Sequence, residues 1–313
     1  MRKRFLTVLL MLAFTILINF GLWSGEKARA LSMNIHIKDL PESGISIIGP
    51  SDPAFDQKIS ALKIKPAQKE LIKPFSVLIN NTGEKAIVAF KLRWECKKAD
   101  GSVVYKDVVK SSSWVFTDSE ADQPISADPT IIKPHSIWFH SLVSQSQPSE
   151  GGTGGGWVVV GDPNSTETQD LLKSPNGTQA LKALNAELAR YVSITISFDG
   201  AFFDDGTFVG PDATGFFELI KAQVDAKHDP LQAMKVDSER GKSADQILQS
   251  IEGIANDESV DFGAAETASD YYKYYKKIYA KEIVADRSNS DSSKAFEKVI
   301  RRLNKPRVKL RKK

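Results

Sequence analysis

Asp199, Asp204, Asp205 and Asp212 crowd one end of a predicted hairpin, and clustered carboxylates on a loop suit a hard cation such as Ca²⁺. Their spacing departs from the Asp-x-Asp-x-Asp-Gly pattern of a calcium loop. The simpler reading is a turn at Asp205-Gly206 whose acidic neighbours are solvated or cap the following helix. His36, His135, His140 and His228 show no spacing typical of a metalloprotease helix. His135 and His140, five apart on a predicted strand, face opposite sides, so no three ligands converge for zinc. Cys96 shares the face of Trp94 and reads as a small buried hydrophobe. The run Gly151-Gly152-Thr153-Gly154-Gly155-Gly156 leads into strand-like Trp157-Val158-Val159-Val160, without the helix N-terminus that holds a phosphate. It reads as a plain loop. With no Gly-x-Ser-x-Gly elbow either, no catalytic residue, metal ligand or cofactor is expected.

Two further stretches could bind a partner. Tyr271-Tyr272-Lys273-Tyr274-Tyr275-Lys276-Lys277-Ile278-Tyr279 interleaves aromatics and lysines as an anionic polymer or a sugar would require. The spacing of Tyr272, Tyr275 and Tyr279 is instead that of a buried helical stripe packed on the strands, with Tyr274 exposed. The sharpest electrostatic feature is the C-terminal run carrying Arg301, Arg302, Lys305, Arg307, Lys309, Arg311, Lys312 and Lys313, with no acid among them. It is either a solvated end or a contact for anionic envelope polymers or lipid headgroups. Asn80, Asn164 and Asn176 begin Asn-x-Ser/Thr acceptors, a pattern common enough by chance to carry little weight.

The first thirty residues decide which anions such a run would meet. Arg2, Lys3 and Arg4 precede an apolar run from Phe5 to Trp23, and Ala28-Arg29-Ala30 follows with the small-x-small pattern of a signal-peptidase site. Cleavage is expected after Ala30; an uncleaved leader would instead anchor the chain in the membrane. Either outcome predicts export, periplasmic or secreted, and no nucleic-acid partner. Without the leader the chain holds 37 basic and 38 acidic residues. Eight of those cations lie between Arg301 and Lys313, so the body is strongly acidic and the tail strongly basic. A single cysteine excludes an internal disulfide, and an apolar content of 41% supplies a packed core instead.

The elements that must position these residues change period along the chain. Val192, Ile194, Ile196 and Phe198 alternate with Ser193, Thr195 and Ser197, as do Val88, Phe90, Leu92, Trp94 and Cys96 with their neighbours. Such alternation marks half-buried strands. Ile131–Leu142 repeats it loosely, and Phe75–Ile79, Val103–Tyr105, Ile45–Ile47 and Trp157–Val160 are shorter candidates. A helix is expected over Gln179–Arg190. After Pro211 the period becomes 3.6: a helix carrying Phe216, Leu219, Ile220 and Val224 that ends near Asp229-Pro230, a second capped by Ser243, a third over Ala264–Ala285, and a fourth with Phe296, Val299, Ile300 and Leu303 stopped by Pro306.

Asn80-Asn81-Thr82-Gly83-Glu84-Lys85 leading to Trp94, with the segment Phe198–Asp212 as a closing hairpin, resembles exported bacterial proteins that carry an immunoglobulin-like domain. The resemblance spans about residues 70–212 and concerns architecture; it carries no functional residue across. The expected class is α+β: an antiparallel immunoglobulin-like β-sandwich over 31–210 with a Gly-rich insertion near 143–190, an α-helical region over 211–304, and the basic tail 305–313. The expected function is a non-catalytic binding or structural role at the cell envelope or outside the cell. The competing class is a hydrolase of an envelope or extracellular polymer, which would need paired carboxylates in a deep cleft.

Overall fold

A computed structural model describes residues 34–60, 73, 76–112, 114–117, 131–144, 157–159, 186, 189–260, 267–288, 297 and 308–313. The leader with Ala30, the glycine run, nine of the twelve residues of Gln179–Arg190, the helix expected around Phe296 apart from Glu297, and Arg301, Arg302, Lys305 and Arg307 lie outside them.

Strands β1 (Asn34–Lys38), β4 (Ile87–Lys98), β5 (Val103–Ser111), β8 (Tyr191–Phe203), β9 (Thr207–Val209) and β10 (Arg311–Lys312) form one sheet. β2 (Ile45–Ile48), β3 (Ser76–Asn81), β6 (Ser136–Ser144) and β7 (Trp157–Val159) form a second. Helices α1 (Pro53–Ser60) and α2 (Trp114–Thr117) lie between strands in the chain; α3 (Phe216–Glu239), α4 (Ala244–Ala255) and α5 (Ala268–Ser288) follow β9. The class is α+β. The first sheet is mixed rather than antiparallel: β1 runs parallel to β8, and β10 parallel to β9. β4–β5 and β8–β9 are antiparallel as hairpin neighbours, whereas β1 and β10 come from distant parts of the chain and no tight turn dictates their direction.

One buried cluster draws on both sheets. Ile45 and Ile47 from β2, Val77 and Ile79 from β3, and Trp138 from β6 join Phe90, Leu92, Trp94, Cys96, Ile194, Ile196 and Phe198. The alternation therefore marked the buried faces of β4 and β8, with two exceptions that share a cause. Along β4·β8 the pairing passes from Lys97↔Ser193 to Lys98↔Tyr191, leaving Val192 unpaired. An extra residue in one strand turns every side chain beyond it to the other face. Tyr191 is thus buried, and Val192, expected in the core, is 48% exposed. A second shift between Ile87 and Ala89 separates Val88 from Phe90. Val88 joins a different cluster, with Ala89, Phe116, Phe202, Phe208, Phe216 and Phe217.

The helices have a third cluster of their own, built from Leu231 and Met234 of α3, Ile247, Leu248 and Ile251 of α4, and Ala280 and Ile283 of α5. Ser243 caps α4 as expected: its side chain accepts from the Gln246 amide, and the Gln246 side chain accepts from the Ser243 amide. α3 does not end near Asp229-Pro230 but runs through Pro230 to Glu239. A helix-interior proline costs about 3 kcal/mol. Burial of Leu231 and Met234 against the other two helices offsets that loss. The tyrosine stripe of α5 also differs from expectation. α5 packs on α3 and α4 rather than on the strands, and Tyr272, Tyr274, Tyr275 and Tyr279 are all half-buried. Tyr271, Tyr275 and Tyr279 stack at successive turns, with centroids 6.5 and 6.4 Å apart. Tyr272 donates to Asp229 Oδ2 at 2.9 Å.

The displaced register makes a direct prediction. Ile194→Ala should destabilise by about 2–5 kcal/mol and Trp94→Ala by about 3–5 kcal/mol, since both leave a core cavity. Val192→Ala should cost about 0.5 kcal/mol or less in the same denaturant titration. A large loss for Val192→Ala would place the strand's faces as its plain alternation does.

Candidate functional site

Two features that the sequence presents separately, the aspartate cluster and the basic tail, meet at the β8–β9 hairpin. Phe203, Asp204, Asp205 and Gly206 make the turn. Gly206 adopts φ 79° and its amide bonds Phe203 O at 2.9 Å. Asp205 accepts from the amide and the hydroxyl of Thr207 at 3.0 and 2.9 Å, the side-chain-to-backbone bond that makes aspartate a turn residue. A third register shift, between Lys91 and Leu92, leaves Asp199 unpaired with β4. Its backbone carbonyl accepts from the Asp212 amide at 2.8 Å, and its buried carboxylate accepts from the Thr214 hydroxyl. Asp212 in turn accepts from the Phe217 amide at 2.9 Å, satisfying one of the orphan donors at the start of α3.

The C-terminal strand docks against this framework. Arg311 donates its amide to Gly206 O at 3.1 Å, and Lys313 to Phe208 O at 3.0 Å. Val308 and Leu310 pack on the phenylalanine cluster. Arg311 Nη2 reaches Asp205 Oδ2 at 3.0 Å and its Nε reaches Thr207 Oγ1 at 3.2 Å. Lys312 pairs with Asp212 at 2.6 Å and lies over the Phe217 ring at 4.9 Å. Lys85 supplies a second cation to Asp205 Oδ2 at 2.8 Å. Burial alone would raise the Asp205 pKa, but hydrogen bonds from Lys85 and Thr207 outweigh it and hold the carboxyl well below the usual carboxylate range. The hydrogen bond to Asp212 raises Lys312 in the complementary sense. Asp205 is thus an ion-pair partner rather than a proton donor near neutral pH.

An open cleft of about 460 Å³ lies where this strand faces the β3–β4 turn. Its walls include Glu42, Glu84, Lys85, Phe203, Arg311 and Lys313. Arg311 and Lys312, though paired, keep 65% and 50% of their side chains exposed. Buried Asn81 braces the turn opposite, donating to the carbonyls of Lys85, Ile132 and Lys133 at 2.8, 3.2 and 3.1 Å. Of the tail residues singled out by charge, Lys309, Arg311, Lys312 and Lys313 are therefore brought to this edge.

The remaining candidates are dispersed. Among the described residues, no group of three His, Cys, Asp or Glu is placed to hold a metal ion. His36 is exposed on β1, His135 sits in the turn before β6 beside Glu84 at 3.2 Å, and His228 lies next to Asp229 on α3. Cys96 is buried in the core shared by the sheets. Sequence reasoning passed over a charged group on the outer face of β4 and β5. Arg93 grips Asp107 with Nε and Nη2 at 2.8 and 2.9 Å, and Lys91 adds a contact at 3.1 Å. Burial would raise the Asp107 pKa, yet the bonds from Arg93 and Lys91 lower it overall. The period-2 placement of Lys91 and Arg93 was the available signal; their cross-strand partner needed the register. Comparison with known proteins finds no matching family model, curated protein or solved structure.

His140 has an unusual setting. It is fully buried, stacks on Trp138 at 5.9 Å and 16°, and neither ring nitrogen has a hydrogen-bond partner among the described residues. Burial, with a smaller contribution from the Lys110 charge, lowers its pKa to about 3, so the ring is neutral near pH 7. The unfolded chain takes up this proton near pH 6.5 while the folded chain does not until about pH 3. Stability should therefore fall as pH drops through that window. His140→Phe keeps the stacking and should remove this component, flattening the stability profile measured by denaturant titration between about pH 7 and 4. Unchanged acid sensitivity would show that His140 is not its source.

Tail docking can be tested at Gly206. A Cβ there would lie 2.6 Å from Lys309 O, and the φ of 79° already disfavours a side chain. Gly206→Ala should speed hydrogen exchange at the Arg311 and Lys313 amides while β4 stays protected. Unaltered exchange at those two amides would argue against the docked strand.

Proposed function

We propose that this is an exported, non-catalytic protein with a binding or structural role at the cell envelope or outside the cell, contacting an anionic surface through its C-terminal strand. The observation that carries this reading is the cationic edge itself: Arg311 and Lys312 form a strand held by backbone bonds, with Lys309 and Lys313 flanking it, beside an open cleft. The basic start, apolar run and Ala28-Arg29-Ala30 support export and cleavage after Ala30. Among the described residues no helix is long and apolar enough to cross a membrane. Two sheets sharing one buried cluster support an immunoglobulin-like β-sandwich, an architecture that commonly presents binding surfaces.

Polymer hydrolysis would need paired carboxylates in a deep cleft; the cleft here is open, and Asp205, the acid held by its wall cations Lys85 and Arg311, is committed to them. A glycosidase-type acid needs a raised pKa, and Asp205 is displaced in the opposite direction.

The mature chain, residues 31–313, should co-sediment with anionic vesicles at about 20 mM salt. It should release toward about 150 mM, where the Debye length is near 8 Å. Lys309→Glu with Lys313→Glu should abolish low-salt adsorption. Adsorption unaffected by that pair would remove the C-terminal strand from the contact. In secreting cells, N-terminal sequencing of exported material should begin at Leu31; full-length chain recovered from cytosol would overturn the export reading.

A further inference from the structure

We propose that the Asp205–Asp212 hairpin is an intramolecular competitor for the C-terminal strand, and that an anionic lipid surface is the partner that displaces it. This rests on the surface contact proposed above and specifies its partner and its control. The two acids occupy the places that lipid phosphates would take. Asp205 holds Arg311, and Asp212 holds Lys312, each by a charge-assisted bond to a partly exposed side chain. The Arg311–Asp205 pair is partly exposed at both ends, and such pairs are weak; the Asp212 carboxylate is only 9% exposed, but it keeps the Phe217 amide as a donor when Lys312 leaves. The backbone attachment is also short: β10 comprises two residues, tied to β9 by the Arg311 and Lys313 amides. The strand can therefore leave without unpicking the rest of the sheet.

Its sequence suits lipid better than a soluble polyanion. Val308 and Leu310 alternate with Lys309 and Arg311, and both apolar side chains are only half-buried against the phenylalanine cluster. Release exposes them together with the cations. A lipid interface accepts both kinds of group, the phosphates taking the charge and the acyl boundary taking the apolar side chains. A dissolved polyanion offers only the first. Lys309 and Lys313, exposed on either side of the docked strand, would make the initial encounter, and Arg311 and Lys312 would follow on release.

The test uses the chain 31–313 and vesicles of phosphatidylglycerol in phosphatidylcholine, with pure phosphatidylcholine as the neutral arm and soluble polyphosphate as the polyanion arm. Asp205→Asn with Asp212→Asn retains the turn and helix-capping oxygens while weakening both ion pairs. The lipid concentration for half-adsorption should fall about three- to tenfold, the range expected from two partly exposed pairs. Glu239→Gln with Glu258→Gln makes the same change in net charge far from the tail in sequence and should give a markedly smaller shift. Gly206→Ala, which changes no charge, should strengthen adsorption in the same direction as the hairpin variant. On vesicles, the Arg311 and Lys313 amides of the unaltered chain should lose exchange protection. Equal adsorption of unaltered and hairpin-variant chains, or protected amides on the vesicle, would overturn the competitor and leave the surface contact standing. Failure of every chain to adsorb would overturn the surface contact and the competitor with it. Stronger displacement by polyphosphate than by vesicles would replace the lipid with a soluble polyanion and overturn the assignment of partner.

Discussion

The ring of Phe202 stands where sheet, helix and hairpin meet. It lies 4.9 Å from Phe208, 5.6 Å from Phe217, 5.8 Å from Phe116 and 5.9 Å from Phe216, centroid to centroid. Those partners come from β9, α3 and α2, so one side chain of β8 ties three elements to the sheet. Each such pair contributes about 0.5–1.5 kcal/mol beyond the area it buries. Val308 and Leu310 close the same cluster from the chain's end. Without this contact, β9 would be a three-residue strand with little to hold it, and β10 would have nothing to pair with.

The arrangement depends on the irregularities of β8 as much as on its regular part. The shift at Asp199 lets Gly200 face the phenylalanines, where even a Cβ would collide with the Phe208 ring. Asp199 is then free to turn its carbonyl toward Asp212 and its carboxylate toward Thr214. These contacts fix the segment that starts α3. Bulges commonly re-aim a strand near a working edge, and this one brings Asp205 and Asp212 to the side on which the tail docks.

Charge is distributed accordingly. The acidic body and basic tail are opposed in the sequence, and the fold brings part of that opposition into contact at the hairpin. Asp107, between Arg93 and Lys91, makes a comparable but purely local arrangement on β4 and β5. The difference is one of separation: Arg93 and Asp107 lie fourteen residues apart along a single hairpin, whereas Arg311 and Asp205 lie more than a hundred apart.

Much of this was legible one element at a time. Period-2 alternation identified the buried faces at Trp94 and Ile196, Gly206 marked a hairpin turn, and Ser243 marked a helix start, because each signal is carried by neighbours in sequence. The exceptions were Val88, Val192 and Pro230. A bulge is a relation between two strands, and tolerance of a helix-interior proline depends on what packs around it; neither is written in local periodicity. The same limit applies to the candidate site. Composition alone determined that the tail is cationic and the hairpin acidic. That Arg311 meets Asp205 and Lys312 meets Asp212 was decided by the tertiary structure, because only the Phe202 cluster and the register of β10 on β9 bring segments so distant in the chain within bonding distance.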